Sequence, residues 1–162
     1  MNNCEPVADD KVLDAVLPAR TVLVLGCSLC ANFGYCIHRD MKLPVYGPLV
    51  QPAAIGREMR RWRSILHEHA TATSRKTTLS LCSMLEGSRR RIGRAAASCD
   101  AVICLSCAEG ARAVEQTVSD KPVVAAMRNR GSVRVNLFRR GGRAYADPDG
   151  VWINGRPFEV AP

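Results

Sequence analysis

Short apolar runs recur along the chain and predict the strands of a sheet. Residues 21–25 are apolar or β-branched without interruption, and residues 100–106 and 122–127 have the same character. Such runs are typical of strands that are buried on both faces of a parallel sheet. A fourth run, residues 76–81, mixes polar and apolar positions, and we expect it to form the remaining strand.

Segments with helical periodicity separate these strands. Ile55, Met59 and Trp62 recur at spacings of three and four residues with charged residues between them, which predicts a helix over residues 53–70. Similar patterns predict helices over residues 9–16, 85–98 and 109–118. The regular alternation of strand and helix predicts an α/β fold with an open, doubly wound parallel sheet of about four strands, Rossmann- or flavodoxin-like.

Outside this alternation the pattern changes. Residues 37–52 contain three prolines and are expected to be irregular. Near the end of the chain, an Asp-Gly turn at residues 147–150 predicts a C-terminal β-hairpin, and Asn154–Gly155 predicts another tight turn. We therefore divide the chain into a leader with one helix (residues 1–19), a cysteine-rich α/β domain that binds metal (20–135) and a hairpin tail (136–162).

Composition narrows the class of protein. The 162 residues are 47% hydrophobic, which suits one domain with one core. No stretch is long and apolar enough for a membrane span, and the first residues do not resemble a secretory signal, so we expect a cytoplasmic protein without a membrane partner. The net charge is +8, but the arginines are spread over several segments without interleaved aromatic residues. This pattern favours a solvated helix face or a docking face for an acidic partner over nucleic acid.

Eight cysteines in a reducing compartment need an explanation other than disulfides. Cys27, Cys82 and Cys107 each follow a predicted strand, and Cys30 completes a C-x-x-C motif with Cys27. The carboxyl ends of parallel strands share one edge of a sheet, which is where ligands bind in open α/β folds. We therefore expect these four sulfurs to meet at that edge.

Four thiolates are the ligand set of a zinc site or a [4Fe–4S] cluster, and the residues do not distinguish Zn²⁺ from the cluster. The predicted metal ligands are Cys27, Cys30, Cys82 and Cys107, with Cys36 in reserve. Cys4 is expected to be loose in a polar leader. Two alternatives stay open, namely a thioredoxin-like redox pair at the C-x-x-C motif and cysteines that only fill the core. No catalytic triad, paired carboxylate or glycine-rich nucleotide motif is present.

Three stretches resemble one known family. Residues 23–31 resemble the Gly-Cys-x-x-Cys-Ala opening of the cysteine-rich domain that accompanies methylenetetrahydrofolate reductase in acetogens and other anaerobes. Residues 99–114 are similar to its second cysteine signature, and residues 122–129 resemble its Lys-Pro-Val strand. Cys82 stands where that family has an isolated cysteine. Two departures are Cys36, which comes later than the family's third cysteine, and Glu109, which replaces a glycine.

The resemblance implies a role beside a flavin-containing reductase. Such a subunit would hold the iron–sulfur or zinc centre and assist electron transfer or assembly in anaerobic one-carbon metabolism. We therefore expect a non-catalytic subunit of an oxidoreductase whose partner is a reductase or another redox protein. The alternatives are a structural zinc-binding interaction module and a free-standing C-x-x-C thiol oxidoreductase.

Overall fold

The structure is a computed structural model that describes residues 1–38, 45–46, 53–141 and 143–157. In chain order the elements are β1 (Asn2–Pro6), α1 (Asp9–Val16), β2 (Thr21–Cys27), α2 (Cys30–His38), β3 (Val45–Tyr46), α3 (Ala53–Glu68), β4 (Ala72–Thr78), α4 (Glu86–Ala96), β5 (Ala101–Leu105), α5 (Ala108–Glu115), β6 (Val123–Ala125), β7 (Met127–Arg140), β8 (Arg143–Ile153) and β9 (Arg156–Pro157). None of the helices among these residues has the length and apolar character that crossing a membrane requires.

Four strands form a parallel sheet in the order β4-β2-β5-β6. The mixed α/β class and the parallel sheet of about four strands are therefore confirmed. Every residue of β5 is buried, as are six of the seven residues of β2, because these two strands lie in the middle of the sheet and are covered on both faces. Strand β4 lies at one side and is mostly exposed.

Helices cover both faces of this sheet. The Thr77 hydroxyl donates a hydrogen bond to Sδ of Met59 on α3, at 3.3 Å. Ser74 Oγ lies 3.5 Å from Sγ of Cys99, just beyond the end of α4. Side chains alternate along a strand, so residues 74 and 77 point to opposite faces. Helices α3 and α4 therefore lie on opposite faces, as in a doubly wound sheet.

The second sheet is antiparallel and joins the two ends of the described chain. Its order is β1-β7-β8-β3, with β9 paired to β8. Strand β1 pairs with β7, so that Cys4 stands opposite Asn129. The first 19 residues thus hold a strand as well as the predicted helix, which has the expected bounds, Asp9–Val16.

The predicted Asp-Gly turn is wrong. Residues 147–150 belong to β8, and the hairpin reverses at Gly141, between the paired residues Arg140 and Arg143. Val135 pairs with Val151 and Leu137 with Ala146, so residues 147–150 form a bulge opposite a single residue of β7. The reason is the length of β7, which offers a partner to both halves of the predicted hairpin. The Asn154–Gly155 turn between β8 and β9 is confirmed, with φ values of 51° and 77°.

Two further expectations concern the regions around the sheet. The strand predicted at residues 76–81 begins and ends earlier, as β4 (Ala72–Thr78). The reason is that β4 is an edge strand, which accepts polar residues such as Ser74 and Arg75. Most of the irregular segment predicted at residues 37–52 lies outside the described residues. Within it, Val45–Tyr46 form β3 and pair with β8.

Candidate metal centre

The cysteine-rich edge lies at the switch point of the parallel sheet. Strand β2 leads through α3 to β4 on one side, whereas β5 leads through α5 to β6 on the other. Because the crossovers from β4 to β5 and from β5 to β6 run in the same direction, right-handedness places α5 on the same face as α4, opposite α3. Helices α3 and α5, which lie in the crossovers that leave the neighbouring strands β2 and β5, are therefore on opposite faces of the sheet. Ligands bind in the crevice that this divergence opens.

Three of the predicted ligands border this crevice. Cys27 is the last residue of β2, Cys30 is the first residue of α2, and Cys107 caps the N-terminus of α5. Cys27 and Cys107 are each 6% exposed. The pKa of Cys27 is raised chiefly by burial, and the charges of Cys30 and Cys107 raise it further. The three sulfurs are thus close enough to interact electrostatically.

Cys4 lies with Cys27, Cys30 and Cys107 at this edge of the sheet. The expectation that it is loose in a polar leader is wrong. It is 0% exposed. Its thiol forms a hydrogen bond with the sulfur of Cys107, and the charges of Cys30 and Cys27 also act on it. Strand β1 carries Cys4 over the crevice because pairing with β7 holds that strand in place. We call Cys4, Cys27, Cys30 and Cys107 the switch-point cluster.

A glycine in α2 allows β1 to approach the crevice. A Cβ atom at Gly34 would overlap the carbonyl oxygen of Cys4 and would lie 2.9 Å from Cε of Met127. Only a residue without a side chain fits between the helix and the strand here. The position of the Cys4 sulfur thus depends on Gly34 as well as on pairing with β7.

Nitrogen donors from β1 surround the sulfurs. The backbone N–H of Asn2 donates to Sγ of Cys30 at 3.4 Å, and Nδ2 of Asn2 donates to Sγ of Cys107 at 3.7 Å. Hydrogen bonds of this kind stabilise thiolates and orient them as metal ligands. Strand β1 therefore supplies one sulfur of the cluster and two donors to the others.

The thiols of Cys4 and Cys107 change each other's pKa. The hydrogen bond from Cys4, with help from the backbone amide of Gly110 at the start of α5, lowers the pKa of Cys107 to about 5. The same contact and burial raise the pKa of Cys4 well above its ordinary value. The pKa values of the two thiols therefore move in opposite directions, and that of Cys107 is the lower.

Cys82 lies outside the switch-point cluster. It is exposed, and its Sγ lies 3.3 Å from Oγ of Ser80. Since β4 ends at Thr78, Cys82 follows four residues beyond the strand, in a turn rather than at the strand end. The structure thus places this sulfur in an exposed turn, whereas the sequence analysis expected it at the end of the strand. Its backbone remains near the site, because the Leu79 carbonyl lies 3.9 Å from Sγ of Cys27.

The reserve residue Cys36 is also separate from the cluster. It is buried on α2 and faces α3. Burial raises the pKa of its thiol to about 11, and the charge of Arg57 on α3 partly opposes this effect. Six residues along a helix turn a side chain by about 240°, so Cys30 and Cys36 point in different directions. Cys99 and Cys104 are buried in the core.

The cluster fits a thiolate-bound metal by its chemistry. Four sulfurs with N–H donors around them are the ligand type of Zn²⁺ and of iron–sulfur clusters. Within the described residues, no three His, Cys, Asp or Glu side chains are arranged to hold a metal ion as they stand. A cysteine sulfur changes its direction by rotation about one side-chain bond.

Searches with the sequence and the structure give no relative to compare with this site. No protein-family model matches the chain, and neither a curated protein nor a solved structure gives a significant match.

Proposed function

We propose that this protein binds a metal centre, either a [4Fe–4S] cluster or Zn²⁺, through the thiolates of the switch-point cluster. The observation that carries the proposal is proximity: Cys4, Cys27, Cys30 and Cys107 come from distant parts of the chain and lie close enough for their charges to interact. Cys4 takes the place that the sequence analysis gave to Cys82. A soft thiolate set of this kind selects zinc or iron–sulfur centres over hard cations.

The role proposed for this centre is that of an accessory subunit in electron transfer or assembly. The resemblance of residues 23–31 and 99–114 to the cysteine-rich domain of anaerobic methylenetetrahydrofolate reductases motivates this role. We keep the cytoplasmic location as part of the proposal, because eight free cysteines suit a reducing compartment. The protein itself is then a non-catalytic partner of a reductase.

An exposed apolar side chain beside the cluster supports the redox role. Leu79 is 58% exposed, while its carbonyl oxygen lies 3.9 Å from Sγ of Cys27. A partner that packs against Leu79 would come close to the centre without opening the protein. Leu85, which is 79% exposed, lies at the other end of the same turn and would extend the contact.

Metal and sulfide analysis of protein produced without oxygen tests the proposal. We expect four iron and four sulfide per chain with a visible absorption band for a cluster, or one zinc per chain in a colourless sample. Zinc alone would remove the electron-transfer role and leave a structural zinc module. A protein that contains neither metal under these conditions, and binds neither on reconstitution, would refute the metal centre.

A second candidate is a thiol oxidoreductase, which the hydrogen bond between Cys4 and Cys107 favours. The Cys107 thiolate would attack a disulfide of a partner protein, and the Cys4 thiol would then resolve the mixed disulfide. Both electrons pass to the partner disulfide, which leaves as two thiols, while a Cys4–Cys107 disulfide forms here. This differs from the Cys27–Cys30 pair that the C-x-x-C motif predicts.

Disulfide mapping separates this candidate from the metal centre. Metal-free protein would be treated with oxidised glutathione, alkylated and digested. A reversible Cys4–Cys107 disulfide in a protein that never binds metal would favour the oxidoreductase. Full metal occupancy in protein purified without oxygen would favour the metal centre, because ligated thiolates are not available as nucleophiles.

A further inference from the structure

A basic groove runs between β4 and α4, and none of the switch-point cysteines lines it. Its volume is about 450 Å³, and its lining residues are Lys76, Thr77, Thr78, Ser88, Arg91, Ile92, Arg94 and Ala95. Three of them are cations and none is acidic. Clefts of about 300–1,000 Å³ hold small-molecule ligands in proteins.

The groove arises from small side chains at the side of the sheet. Ser74, Lys76 and Thr78 share the face of β4 that α4 covers, since Ser74 contacts Cys99 beyond the end of that helix. On the helix, Ala95 leaves space above the buried Ile92. The floor is therefore apolar, and the rim carries the cations.

These cations are free to bind an anion. Within the described part of the chain, Lys76, Arg91 and Arg94 form no ion pair with a carboxylate. Arg91 makes one long contact, from Nη2 to Oγ of Ser88 at 3.4 Å, and Arg94 Nε lies 3.4 Å from the carbonyl oxygen of Arg90. Both guanidinium groups keep donors for a ligand, and the Ser88 hydroxyl keeps its proton.

The strand adds backbone donors to the groove. The N–H of Ala72 and the carbonyl of Thr78 both form hydrogen bonds with residues next to the ends of β2. The even-numbered residues of β4 therefore direct their N–H and C=O groups towards β2. In a parallel strand the intervening residues then direct their N–H and C=O groups to the opposite side. No described strand pairs with β4 there, so the N–H of Thr77 points outward at the groove.

We propose that this groove binds the phosphate groups of a phosphorylated small molecule, whose apolar part lies over Ile92 and Ala95. Two guanidinium forks, an ammonium, a hydroxyl and an outward N–H match the tetrahedral array of phosphate oxygens. An acidic peptide would need the groove to continue along β4, whereas the groove covers only Lys76–Thr78, at the carboxyl end of the strand. That end is where α/β sheets bind ligands.

A second groove provides a matched control. It lies on the other face of β4, has a volume of about 490 Å³ and is lined by Arg60, Arg63, Ser64, His67, Thr71, Ala72 and Thr73. It carries two arginines of one helix, as the first groove does, but it lies at the amino end of the strand. Removing two charges from either groove changes the net charge equally.

Calorimetric titration of the full chain as purified, with ADP and with inorganic pyrophosphate, tests the proposal at about 0.15 M salt, where exposed charges are screened beyond about 8 Å. The variants are Arg91→Ala/Arg94→Ala and the control Arg60→Ala/Arg63→Ala. We expect the first pair to weaken binding at least about tenfold, since charge-assisted hydrogen bonds contribute more than neutral ones. The control pair should change it less than about threefold.

Three outcomes would overturn the proposal. The first is that neither probe binds the wild-type protein at concentrations up to about 10 mM, which is about ten times the 1 mM dissociation constant of a weak site. The second is that both double variants weaken binding equally, which would indicate general attraction to a basic protein. The third is that a single-stranded oligonucleotide binds and neither probe displaces it, which would indicate a nucleic-acid surface. Lys76→Gln provides a second variant on the strand, with circular dichroism to check that each variant is folded.

Discussion

Two sides of the same sheet have opposite constructions. The carboxyl edge at β2 and β5 is covered by β1, and Cys4, Cys27 and Cys107 there are at most 6% exposed. The lateral edge at β4 is not paired with another described strand, its residues are mostly exposed, and cations line the groove beside it. The first region depends on contacts between residues more than a hundred positions apart, whereas the second consists of one strand and the helix that follows it.

This difference separates what each region needs in order to function. A metal-binding role of the switch-point cluster would require fixed positions for its four sulfurs, so its residues should tolerate little change in shape. The β4 groove needs charge in a shallow cleft, so its residues should affect binding but contribute little to stability. The following predictions test this contrast.

The largest effect is expected from replacing Cys4. Cys4→Ser should abolish metal binding and lower the free energy of unfolding by about 4 kcal/mol, the contribution of a ligand present at a thousand times its dissociation constant. Cys82→Ser is the control and should change neither quantity, because the Cys82 side chain is exposed beside Ser80. Metal analysis and denaturant unfolding measure both. Loss of metal in Cys82→Ser with retention in Cys4→Ser would reverse the assignment of the fourth ligand.

Gly34→Ala should have the next largest effect. The added Cβ would overlap the Cys4 carbonyl, so β1 must move, at a cost of about 3 kcal/mol, which is typical of overpacking. Gly93→Ala on α4 is the control, because no atom lies within 4 Å of an added Cβ there. That change should stabilise the protein by up to about 1 kcal/mol through helix propensity. Chemical denaturation of metal-free protein gives both values, and equal effects of the two changes would contradict the close approach of β1.

A smaller, pH-dependent effect is expected from Glu5, next to Cys4 on β1. Its carboxylate accepts hydrogen bonds from Nε of Arg128 at 2.9 Å and Nε of Arg130 at 2.6 Å, which lower its pKa from 4.5 to about 2. The folded state favours the charged form, so this stabilisation is complete above pH 4.5 and disappears as the pH falls towards 2.

Unfolding of metal-free wild type and Glu5→Gln at several pH values measures this effect. The difference in stability should be largest near pH 6 and should narrow at pH 3. Glu86→Gln, which removes an exposed ion pair with Arg90 on α4, should show no measurable difference at either pH. A wild-type advantage that stays constant down to pH 2 would contradict the role of the two arginines.

The smallest effects are expected at the β4 edge. Lys76→Gln and Arg91→Ala should each change the free energy of unfolding by no more than about 0.5 kcal/mol, as is usual for exposed positions. Thermal unfolding in the absence of phosphate compounds is the measurement. A loss of more than about 2 kcal/mol would show that these side chains support the fold, and the contrast between the two regions would fail.

The sequence predicted the parallel sheet because its signal is local. Residues 21–25 and 100–106 have the apolar character of strands covered on both faces, and β2 and β5 occupy those positions. The boundaries of β4 were misplaced because its residues are polar and because an edge strand needs no apolar pattern. That shift moved Cys82 from the expected strand end into an exposed turn.

Cys4 could not be found in the same way. Strand β1 has the sequence Asn-Asn-Cys-Glu-Pro, which carries no strand signal of its own, and it forms because β7 pairs with it from more than 120 residues away. The Asp-Gly turn was mistaken for the same reason. A local pattern predicted a reversal at residues 147–150, but the long partner strand β7 turned this segment into a bulge. In both cases pairing across the chain overrode the local preference.

The pairing of Cys4 with Asn129 also has a consequence for biosynthesis. Cys4 is translated before Cys107 and β6, but the strand that fixes it is translated only after them. A nascent chain can therefore offer at most three of the four thiols in their final positions. The complete set of thiols forms only when translation has passed β7, so a metal centre of the kind proposed would be inserted after that point rather than during the synthesis of β2 or α5.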